Sequence, residues 1–377
     1  MQHHRSGSSA APRGGVARLP SYLLLVAALA GCARDVTAPT PQAAITADGA
    51  SAAASGSPRF LIADQFNNRV IEVDTAGNIL WHFGGGPDNV GPTAIVGTND
   101  AERINGALTL IAGTGAPAGT EPACPNGCAD NRVMIVNPAG QIVWQYGKFG
   151  VTGSGPDELN TPVQNTYLRG GHVLITDQGN QRVIEVERAH KSIVWQYGTT
   201  GAPGMGPDSL NNPNSAELLS NGNILIADEN NNRAIEVNRQ HVILRTFTAG
   251  GTLSGVAFAS RLANGNTLIT DSNNSRIVEV DAGDHVVWQY FTNKQPGSNP
   301  APLPTRAVRL RDGTTLISDQ FNHRVIQIDN AGTILRSFGN LNAPGFGTQN
   351  TKQGLNGPYD AKVIGDFTGL TPPGDIR

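Results

Sequence analysis

The sequence predicts an all-β protein, a six-bladed β-propeller, from a repeated element and from its composition. The element Leu-Ile-(Ala/Thr/Ser)-Asp recurs, and an arginine always follows five residues after the aspartate. The pairs are Asp64–Arg69, Asp177–Arg182, Asp228–Arg233, Asp271–Arg276 and Asp319–Arg324. A spacing of about 50 residues is typical of propeller blades. The 46 glycines and the charged fraction of 15% favour short strands and tight turns over a helical bundle.

One further unit, the second along the chain, is less regular than the other five. Leu110–Gly113 reads Leu-Ile-Ala-Gly and lacks the aspartate, and an insertion with two cysteines separates it from Arg132. Once this insertion is discounted, the stretch after Arg132 follows the same pattern as the other copies. We therefore count six units.

Each unit is predicted to contain four strands. In one copy the first strand begins at Pro213, the second is Ile224–Asp228 and the third is Arg233–Val237. The fourth strand ends in an aromatic residue and glycine, as in Ser192–Gly198. Alternating Val and Ile residues and Asn-Gly or Asp-Gly turns indicate antiparallel hairpins. Six such units form a six-bladed propeller.

The C-terminal segment is predicted to close the ring. The first unit begins at its second strand, in residues 59–84, with no first strand before it. Leu355–Gly365 matches Leu210–Ser220, which contains a first strand. The last strand should therefore complete the first blade and remove an open sheet edge.

Residues 1–31 are predicted to be a lipoprotein signal peptide. Three arginines precede the apolar run Leu23–Ala30, which is too short to span a bilayer as a stable helix. The run ends in Leu29–Cys32, Leu-Ala-Gly-Cys, which resembles the lipobox of bacterial lipoproteins. The resemblance implies lipidation of Cys32 and an exported, envelope-anchored chain, and Ala33 favours the outer membrane. An ordinary secretory signal is the alternative.

The composition divides the rest of the chain. Residues 32–57 are dominated by alanine, serine, threonine and proline, and this composition is typical of a flexible tether. The propeller is assigned to residues 58–371 and a tail to residues 372–377. The net charge of −3 gives no electrostatic reason to expect nucleic acid as a partner.

The two remaining cysteines lie in the insertion of the second unit. An exported chain enters an oxidising compartment, so Cys124 and Cys128 are predicted to form a local disulfide. A metal or redox pair is the alternative. No histidine lies near this pair in the sequence, so no metal site is predicted.

The repeated aspartates, arginines and tryptophans are interpreted as structural. A catalytic residue needs to occur once, whereas a packing residue recurs in every blade. Four blades place a tryptophan at one position of the fourth strand, and two blades place an arginine there. These residues are Trp81, Trp144, Trp195, Trp288, Arg245 and Arg336. Recurrence at one position indicates packing between blades and not a cofactor platform.

The repeat resembles the NHL type. The motif that carries the resemblance is Gly222–Val237, followed by a fourth strand that ends in aromatic-glycine, and the likeness extends over residues 59–365. NHL-type propellers include ligand- and protein-binding scaffolds, and a few relatives are enzymes. The resemblance therefore implies the fold and leaves the function open.

Two shorter stretches resemble enzyme propellers. Ile71–Trp81 is similar to the tryptophan-docking motif of pyrroloquinoline-quinone propellers, but its turn is one residue shorter and those enzymes normally have eight blades. Gly140–Gly147 is similar to a stretch of bacterial arylsulfotransferases, which depend on histidines at the central channel. No histidine falls on a predicted first strand, and this argues against a sulfotransferase-like or zinc-lyase-like centre.

The candidate site is where the copies differ. In the first strands an alanine recurs, and the residue before it varies. This variable residue is Asp100, Gln164, Ser215, Phe258, Arg306 or Asp360. We predict a ligand site formed by Asp100, Gln164, Arg306 and Asp360 near the channel mouth, on the face that carries the loops between blades. A satisfied polar cluster that seals the channel is the alternative.

The predicted function is binding or scaffolding at the bacterial envelope. The ligand is expected to be a protein or a small polar molecule at the channel mouth. No cofactor is predicted, and two carboxylates beside an arginine make calcium the cation to test. The alternative is a propeller lyase, hydrolase or arylsulfotransferase-like enzyme that acts at the central channel.

Overall fold

A computed structural model describes residues 57–105 and 107–374 and confirms the all-β, six-bladed propeller. This part of the chain forms six four-stranded antiparallel sheets, which are the blades. The predicted signal peptide, the lipidation site Cys32 and residues 32–56 of the tether lie outside the described residues. Within the described ranges no helix is long and apolar enough to cross a membrane.

The strands follow the four-strand plan of each repeat. Blade 1 contains β1 (Phe60–Asp64), β2 (Arg69–Val73), β3 (Ile79–Phe83) and the last strand, β24 (Pro358–Val363). Blade 2 contains β4 (Thr98–Ile104), β5 (Leu108–Ala116), β6 (Cys128–Val136) and β7 (Ile142–Gly147). Blade 3 contains β8 (Pro162–Leu168), β9 (His172–Asp177), β10 (Arg182–Glu187) and β11 (Ser192–Tyr197).

The other three blades have the same order. Blade 4 contains β12 (Pro213–Leu218), β13 (Ile224–Asp228), β14 (Arg233–Val237) and β15 (Ile243–Phe247). Blade 5 contains β16 (Val256–Arg261), β17 (Thr267–Asp271), β18 (Arg276–Val280) and β19 (Val286–Phe291). Blade 6 contains β20 (Arg306–Arg309), β21 (Thr315–Asp319), β22 (Arg324–Ile328) and β23 (Ile334–Gly339).

One-turn 3₁₀ helices connect the second and third strands in five blades. They are Gln65–Asn67, Gln178–Asn180, Glu229–Asn231, Ser272–Asn274 and Gln320–Asn322. Two more are Arg169–Gly171, in a hairpin turn, and Thr351–Gln353, before β24. We call the face with the first five helices and the loops between blades the upper face. The hairpin turns lie on the lower face.

The last strand closes the ring as the sequence predicted. β24 pairs antiparallel with β1, so that Ala361 lies opposite Ile62 and Val363 lies opposite Phe60. β24 is the innermost strand of blade 1, in the place that β4, β8, β12, β16 and β20 hold in the other blades. Blade 1 therefore joins the N-terminal and C-terminal parts of the propeller.

The apolar cores lie between the blades. Each large buried cluster takes side chains from two neighbouring blades, and one such cluster lies at each of the six interfaces. Between blades 6 and 1, for example, Phe60 and Ile62 pack with Val308, Leu316 and Phe338. Because a blade buries apolar surface on both sides, its stability depends on both neighbours.

The repeated aspartate lies at the upper end of the second strand and organises the loops around it. Asp228 Oδ2 accepts hydrogen bonds from Arg233 Nε at 2.7 Å and from Asn231 Nδ2 at 2.8 Å. Its Oδ1 accepts one from the backbone N–H of Asn211 at 2.8 Å, in the loop before the first strand. The paired arginine belongs to the same blade. The other four aspartate–arginine pairs repeat this contact.

Blade 2 supplies the missing carboxylate from another strand. Asp130, in β6, pairs with Arg132 at 2.5 Å and accepts the N–H of Val96 at 2.7 Å. A Cβ atom added to Gly113 would lie 2.4 Å from Asp130 Oδ2, so this carboxylate occupies the space of the absent aspartate. In this second unit the carboxylate therefore comes from Asp130 on the neighbouring strand. The usual aspartate position is a glycine because there is space for only one of the two side chains.

The tryptophans join neighbouring blades. Each indole N–H donates to a backbone carbonyl in a lower hairpin turn of the next blade. The pairs are Trp81–Pro138 (2.9 Å), Trp144–Arg188 (3.1 Å), Trp195–Arg239 (3.3 Å) and Trp288–Asn330 (2.9 Å). The structural interpretation of this position is confirmed at four interfaces.

The predicted disulfide between Cys124 and Cys128 is present. β5 and β6 extend beyond the usual strand length, and Ala116 lies opposite Cys128 in this extension. Cys124 packs with Val96 and Ala116 in a small apolar cluster. The insertion thus rises from the loop between the second and third strands, which places it on the upper face.

Candidate functional site

The upper end of the central channel is lined by residues at β-bulges. In blade 4, Pro213 pairs with Asp228 and Ser215 with Ala227, so Asn214 has no partner across the ladder. Five first strands carry this bulge in the described chain. The bulged residues are Asn99, Val163, Asn214, Ala257 and Tyr359. A bulge redirects one side chain, and here it forms the ring of residues at the channel mouth.

Two of these bulged residues and two residues of the 3₁₀ turns form what we call the mouth cluster: Asn214 and Tyr359 with Gln178 and Glu229. Asn214 Nδ2 donates to the Tyr359 hydroxyl at 2.8 Å and to Glu229 Oε2 at 2.9 Å. Gln178 Nε2 donates to the same Glu229 oxygen at 3.2 Å. Tyr359 belongs to blade 1 and Asn214 to blade 4, which are opposite blades, so the contact bridges the channel.

The mouth cluster carries one acidic group with no cationic partner. Burial raises the pKa of Glu229. Burial, and then the nearby charge of Glu229, raise the pKa of Tyr359. Across residues 57–105 and 107–374 no lysine, arginine or histidine forms a salt bridge with Glu229. The amides of Asn214 and Gln178 hold this carboxyl group in place, and no cationic side chain of the described residues pairs with it.

The opposite side of the mouth is built from amides and aromatic rings. Gln320 Nε2 donates to Gln65 Oε1, and Gln65 Nε2 donates to Asn99 Oδ1, both at 2.6 Å. The half-buried rings of Phe66 and Phe321 stack with their centroids 6.1 Å apart. Only blades 1 and 6 have phenylalanine at this loop position, so the mouth is chemically asymmetric.

Directly below the mouth lies a buried group that we call the ion network: Asp100, Arg306, Asp360 and Lys362. Arg306 contacts Asp100 at 2.9 Å and Asp360 at 2.5 Å. Lys362 Nζ lies 2.7 Å from one oxygen of each aspartate. The ring of Phe258 packs against the Arg306 guanidinium, 4.3 Å from ring centroid to Cζ. The network closes the centre of the channel with two positive and two negative groups.

The two aspartates differ in proton affinity. Burial raises the pKa of Asp100 to about 6, against the lowering effect of Lys362 and Arg306. Burial acts on Asp360 in the same direction, but Arg306 and Lys362 together outweigh it and hold the Asp360 pKa below its usual value. Asp360 therefore carries the negative charge of the pair most firmly.

The structure brings together three of the four predicted ligand residues. Asp100, Arg306 and Asp360 meet in the ion network, whereas the Gln164 side chain accepts a hydrogen bond from the N–H of Ala216 in the next blade at 2.7 Å. Asp360, Asp100 and Ser215 accept from the next blade in the same way. The variable position thus has a shared structural role. That these four residues bind a ligand stays a prediction.

Sequence reasoning missed Lys362 and the mouth cluster. Lys362 lies two residues after Asp360, and the period of two in a strand places both on the same side, so this signal was available. Tyr359 and Asn214 precede the variable position by one residue. A strict alternation would turn them away from the ion network, and only the bulge brings them to the mouth.

Two glutamates lie deeper in the channel. Glu102 Oε2 accepts the N–H of Tyr167 at 2.9 Å, and Glu217 Oε2 accepts the N–H of Arg261 at 3.0 Å. Both contacts join neighbouring first strands. Burial raises the pKa of each glutamate to about 8. Both groups therefore hold a proton in the folded protein near neutral pH.

The C-terminal segment crosses the lower end of the channel. After β24, Thr371 Oγ1 donates to the Leu218 carbonyl in blade 4 at 2.5 Å. Gly374 N donates to the Tyr167 carbonyl in blade 3 at 2.8 Å. Gly374 of the predicted tail thus contacts the propeller, and residues 375–377 lie outside the described chain. The upper mouth is therefore the end of the channel at which we place the candidate site.

The residues that the structure describes contain no group of three or more histidine, cysteine, aspartate or glutamate side chains placed to hold a metal. Histidines of the lower turns pair with nearby acids, as His241 does with Asp208 at 3.1 Å and His190 with Glu187 at 2.8 Å. The chemistry available at the mouth is thus a carboxylate, a phenol and carboxamides.

No family model matches the chain, and no curated protein matches it in sequence. Among solved structures, a Bacteroides caccae protein of unknown function is similar with a TM-score of 0.55 and 11% identity, over 82% of this chain and 100% of that one. A virginiamycin B lyase from Staphylococcus aureus has a TM-score of 0.42 and 16% identity, over 64% and 69%. The WD40 propeller of Doa1 has 0.47 and 12%, over 77% and 85%. At 11% identity the likeness to the Bacteroides caccae protein concerns the fold alone, and the other two matches carry no further conclusion.

Replacing Glu217 with glutamine is expected to reduce the loss of stability at alkaline pH. The folded-state pKa of about 8 lies above the ordinary value of 4.5, so the stabilisation from the bound proton is complete below pH 4.5 and is lost as pH rises through about 8. Between about pH 6 and about pH 9, the free energy of unfolding in urea should fall by about 2 kcal/mol less in Glu217→Gln than in the wild type.

The matched control is Glu187→Gln, at an exposed turn. Hydrogen bonds from the backbone of His190 and Ala189 lower the pKa of Glu187 to about 2, so it is ionised throughout this range. The control should lose stability as the wild type does. An equally steep loss in Glu217→Gln would show that Glu217 is not the protonated group.

Proposed function

We propose that this chain is a binding or scaffold propeller that takes up a small polar ligand or a segment of a partner protein at its upper channel mouth. The observation that carries the proposal is the mouth cluster. Glu229 is a half-buried carboxylate without a cationic partner in the described chain, and it is held by Asn214 and Gln178. A ligand with an ammonium group or several hydrogen-bond donors would satisfy this group.

The ion network supports the proposal as a rigid floor. In this proposal Asp100, Arg306 and Asp360 lie beneath the ligand, and Gln164 fixes the neighbouring first strands. A site whose residues are locked by buried contacts loses little conformational entropy when it binds. The two aspartates, with Arg306 beside them, are also the place at which calcium would be tested.

A protein partner would find further contacts on the same face. The insertion closed by Cys124 and Cys128 rises beside the mouth, and the exposed ring of Phe346 lies on the same face, over the Arg69 guanidinium at 4.5 Å. Loops positioned by a rigid scaffold commonly carry binding function. The NHL-like character of the repeat agrees with such a scaffold role.

We further propose that the propeller is held at the outer membrane of a bacterial envelope. The signal peptide of residues 1–31, acylation at Cys32 and the tether of residues 32–57 would place the propeller beside the membrane. Replacing Cys32 with serine should move the chain from the membrane fraction to the soluble fraction. An unchanged membrane fraction would rule out the lipid anchor.

The second candidate function is a propeller enzyme at the same mouth. It is favoured by one observation: Glu229 and Tyr359 are titratable groups that share the partner Asn214, and both have raised pKa values. Such pairs occur at acid–base centres and also in structural networks. Conversion of a bound ligand, followed by mass spectrometry, separates an enzyme from a binding protein.

A thermal-shift screen of the full chain against polar metabolites, amines and calcium tests the proposal. A ligand of the mouth should raise the melting temperature of the wild type, and Glu229→Gln should lose most of that shift because the amide carries no charge. Asp366→Asn, on the lower face, is the control and should keep the shift. A shift that is unchanged in Glu229→Gln would contradict binding at the mouth.

A further inference from the structure

The interfaces between blades share a charged contact on their lower half. At four interfaces a glutamate in the third strand pairs with an arginine of the next blade. The pairs are Glu72–Arg103 (2.6 Å), Glu185–Arg239 (2.5 Å), Glu236–Arg261 (3.1 Å) and Glu279–Arg309 (3.1 Å). In three of these interfaces the arginine also lies over a tryptophan ring of the preceding blade. The glutamate, the arginine and the tryptophan together fill this part of the interface.

The interface between blades 6 and 1 has replaced all three residues. Gln327 stands where the glutamate would be, Val363 stands at the position of Arg103 and Arg309, and Arg336 stands at the tryptophan position. Gln327 Nε2 donates to Thr314 of its own blade at 2.8 Å. The charged pair and the indole contact are therefore both missing from this interface.

A cavity of about 370 Å³ opens at this place on the lower face. The replaced residues Gln327, Arg336 and Val363 line it, together with Phe60, Leu310 and Arg311. Its volume lies within the range of small-molecule sites. Val363 is smaller than the arginines at its position, so the cavity coincides with the loss of the repeated contact.

The charged groups at this cavity are not equivalent. The Asp366 carboxylate accepts the backbone N–H groups of Arg311 and Thr368, and Asp312 accepts the N–H of Thr314. Arg336 lies over the Phe60 ring at 5.1 Å, and its Nη1 atom has no hydrogen-bond acceptor. Within the described chain, neither Arg336 nor Arg311 forms a salt bridge. The carboxylates of Asp366 and Asp312 thus accept backbone hydrogen bonds, whereas the guanidinium groups of Arg336 and Arg311 have no carboxylate partner among the described residues.

From this geometry we propose that the cavity between blades 6 and 1 is a second binding site, for a small organic anion with a carboxylate and a flat apolar body. The carboxylate would take the place of the missing glutamate opposite Arg336. The apolar body would lie on Phe60, Leu310 and Val363, where neighbouring interfaces have an indole. This site lies on the face opposite the mouth cluster and does not depend on it.

Titration of the full chain with 2-naphthoate, with 2-naphthamide as its neutral counterpart, tests the proposal by calorimetry. Naphthoate should bind the wild type saturably and more tightly than naphthamide. Arg336→Gln should weaken naphthoate binding about tenfold or more, since it removes a charge-assisted hydrogen bond. Arg336→Trp should abolish binding, because it restores the repeat residue and fills the cavity.

The matched control is Arg245→Gln. Arg245 is the other arginine at the tryptophan position, but it lies at an interface where Glu236 and Arg261 still pair. The Arg245→Gln variant should therefore bind naphthoate as tightly as the wild type does. Should Arg336→Gln fail to fold, Gln327→Glu gives the same test, since it returns the carboxylate to Arg336 and should exclude naphthoate. No saturable binding to the wild type, equal binding of naphthamide, or equal losses in Arg245→Gln and Arg336→Gln would overturn the proposal.

Discussion

The pairing of β24 with β1 is the constraint on which the rest of the structure depends. Every other blade takes its four strands from one continuous stretch of chain, whereas blade 1 takes its innermost strand from the C-terminus. This one strand supplies Tyr359 to the mouth cluster, Asp360 and Lys362 to the ion network and Val363 to the lower cavity. The strand that closes the ring thus also supplies residues to both candidate sites.

Several departures from the sixfold repetition lie at this closure. The stacked phenylalanines of the upper face belong to blades 1 and 6, as do Arg306 and its partner Asp360 in β24. The interface that lacks both the tryptophan contact and the glutamate–arginine pair is also the one between blades 6 and 1. In a ring of identical blades, no interface between blades would differ from the others. Here the junction between the first and last strands of the propeller breaks the symmetry, and several of the chemically distinct residues lie beside it.

Much of the fold was predictable from the sequence because the same residues recur at the same positions in successive blades. Asp228 and Arg233 recur at a fixed spacing, so their pairing and structural role followed from the pattern, and the match of Leu355–Gly365 to a first strand revealed the closure. The relocation of one carboxylate to Asp130 was not predictable, because it depends on the space above Gly113.

The candidate site was predictable in part. Variation at Asp100, Arg306 and Asp360 pointed to the centre of the channel, and these residues do meet there. Tyr359 and Asn214 were missed, since a bulge changes the side of the strand on which a residue lies and leaves no mark in a period of two. The sequence shows that Gln327 and Arg336 depart from the residues at the same positions of other blades. The cavity that they line depends on how the side chains pack, which the sequence does not show.

The melting temperature of a chain without residues 355–377 tests the central claim most directly. The control is a chain that ends at Gly374 and keeps β24 and its contacts. If β24 closes the ring, the truncated chain should melt more than about 10 °C below the control, because it loses a strand ladder, the buried contacts of Leu355 and Ala361, and two members of the ion network. Equal melting temperatures for the two chains would contradict the closure and, with it, the construction of both sites.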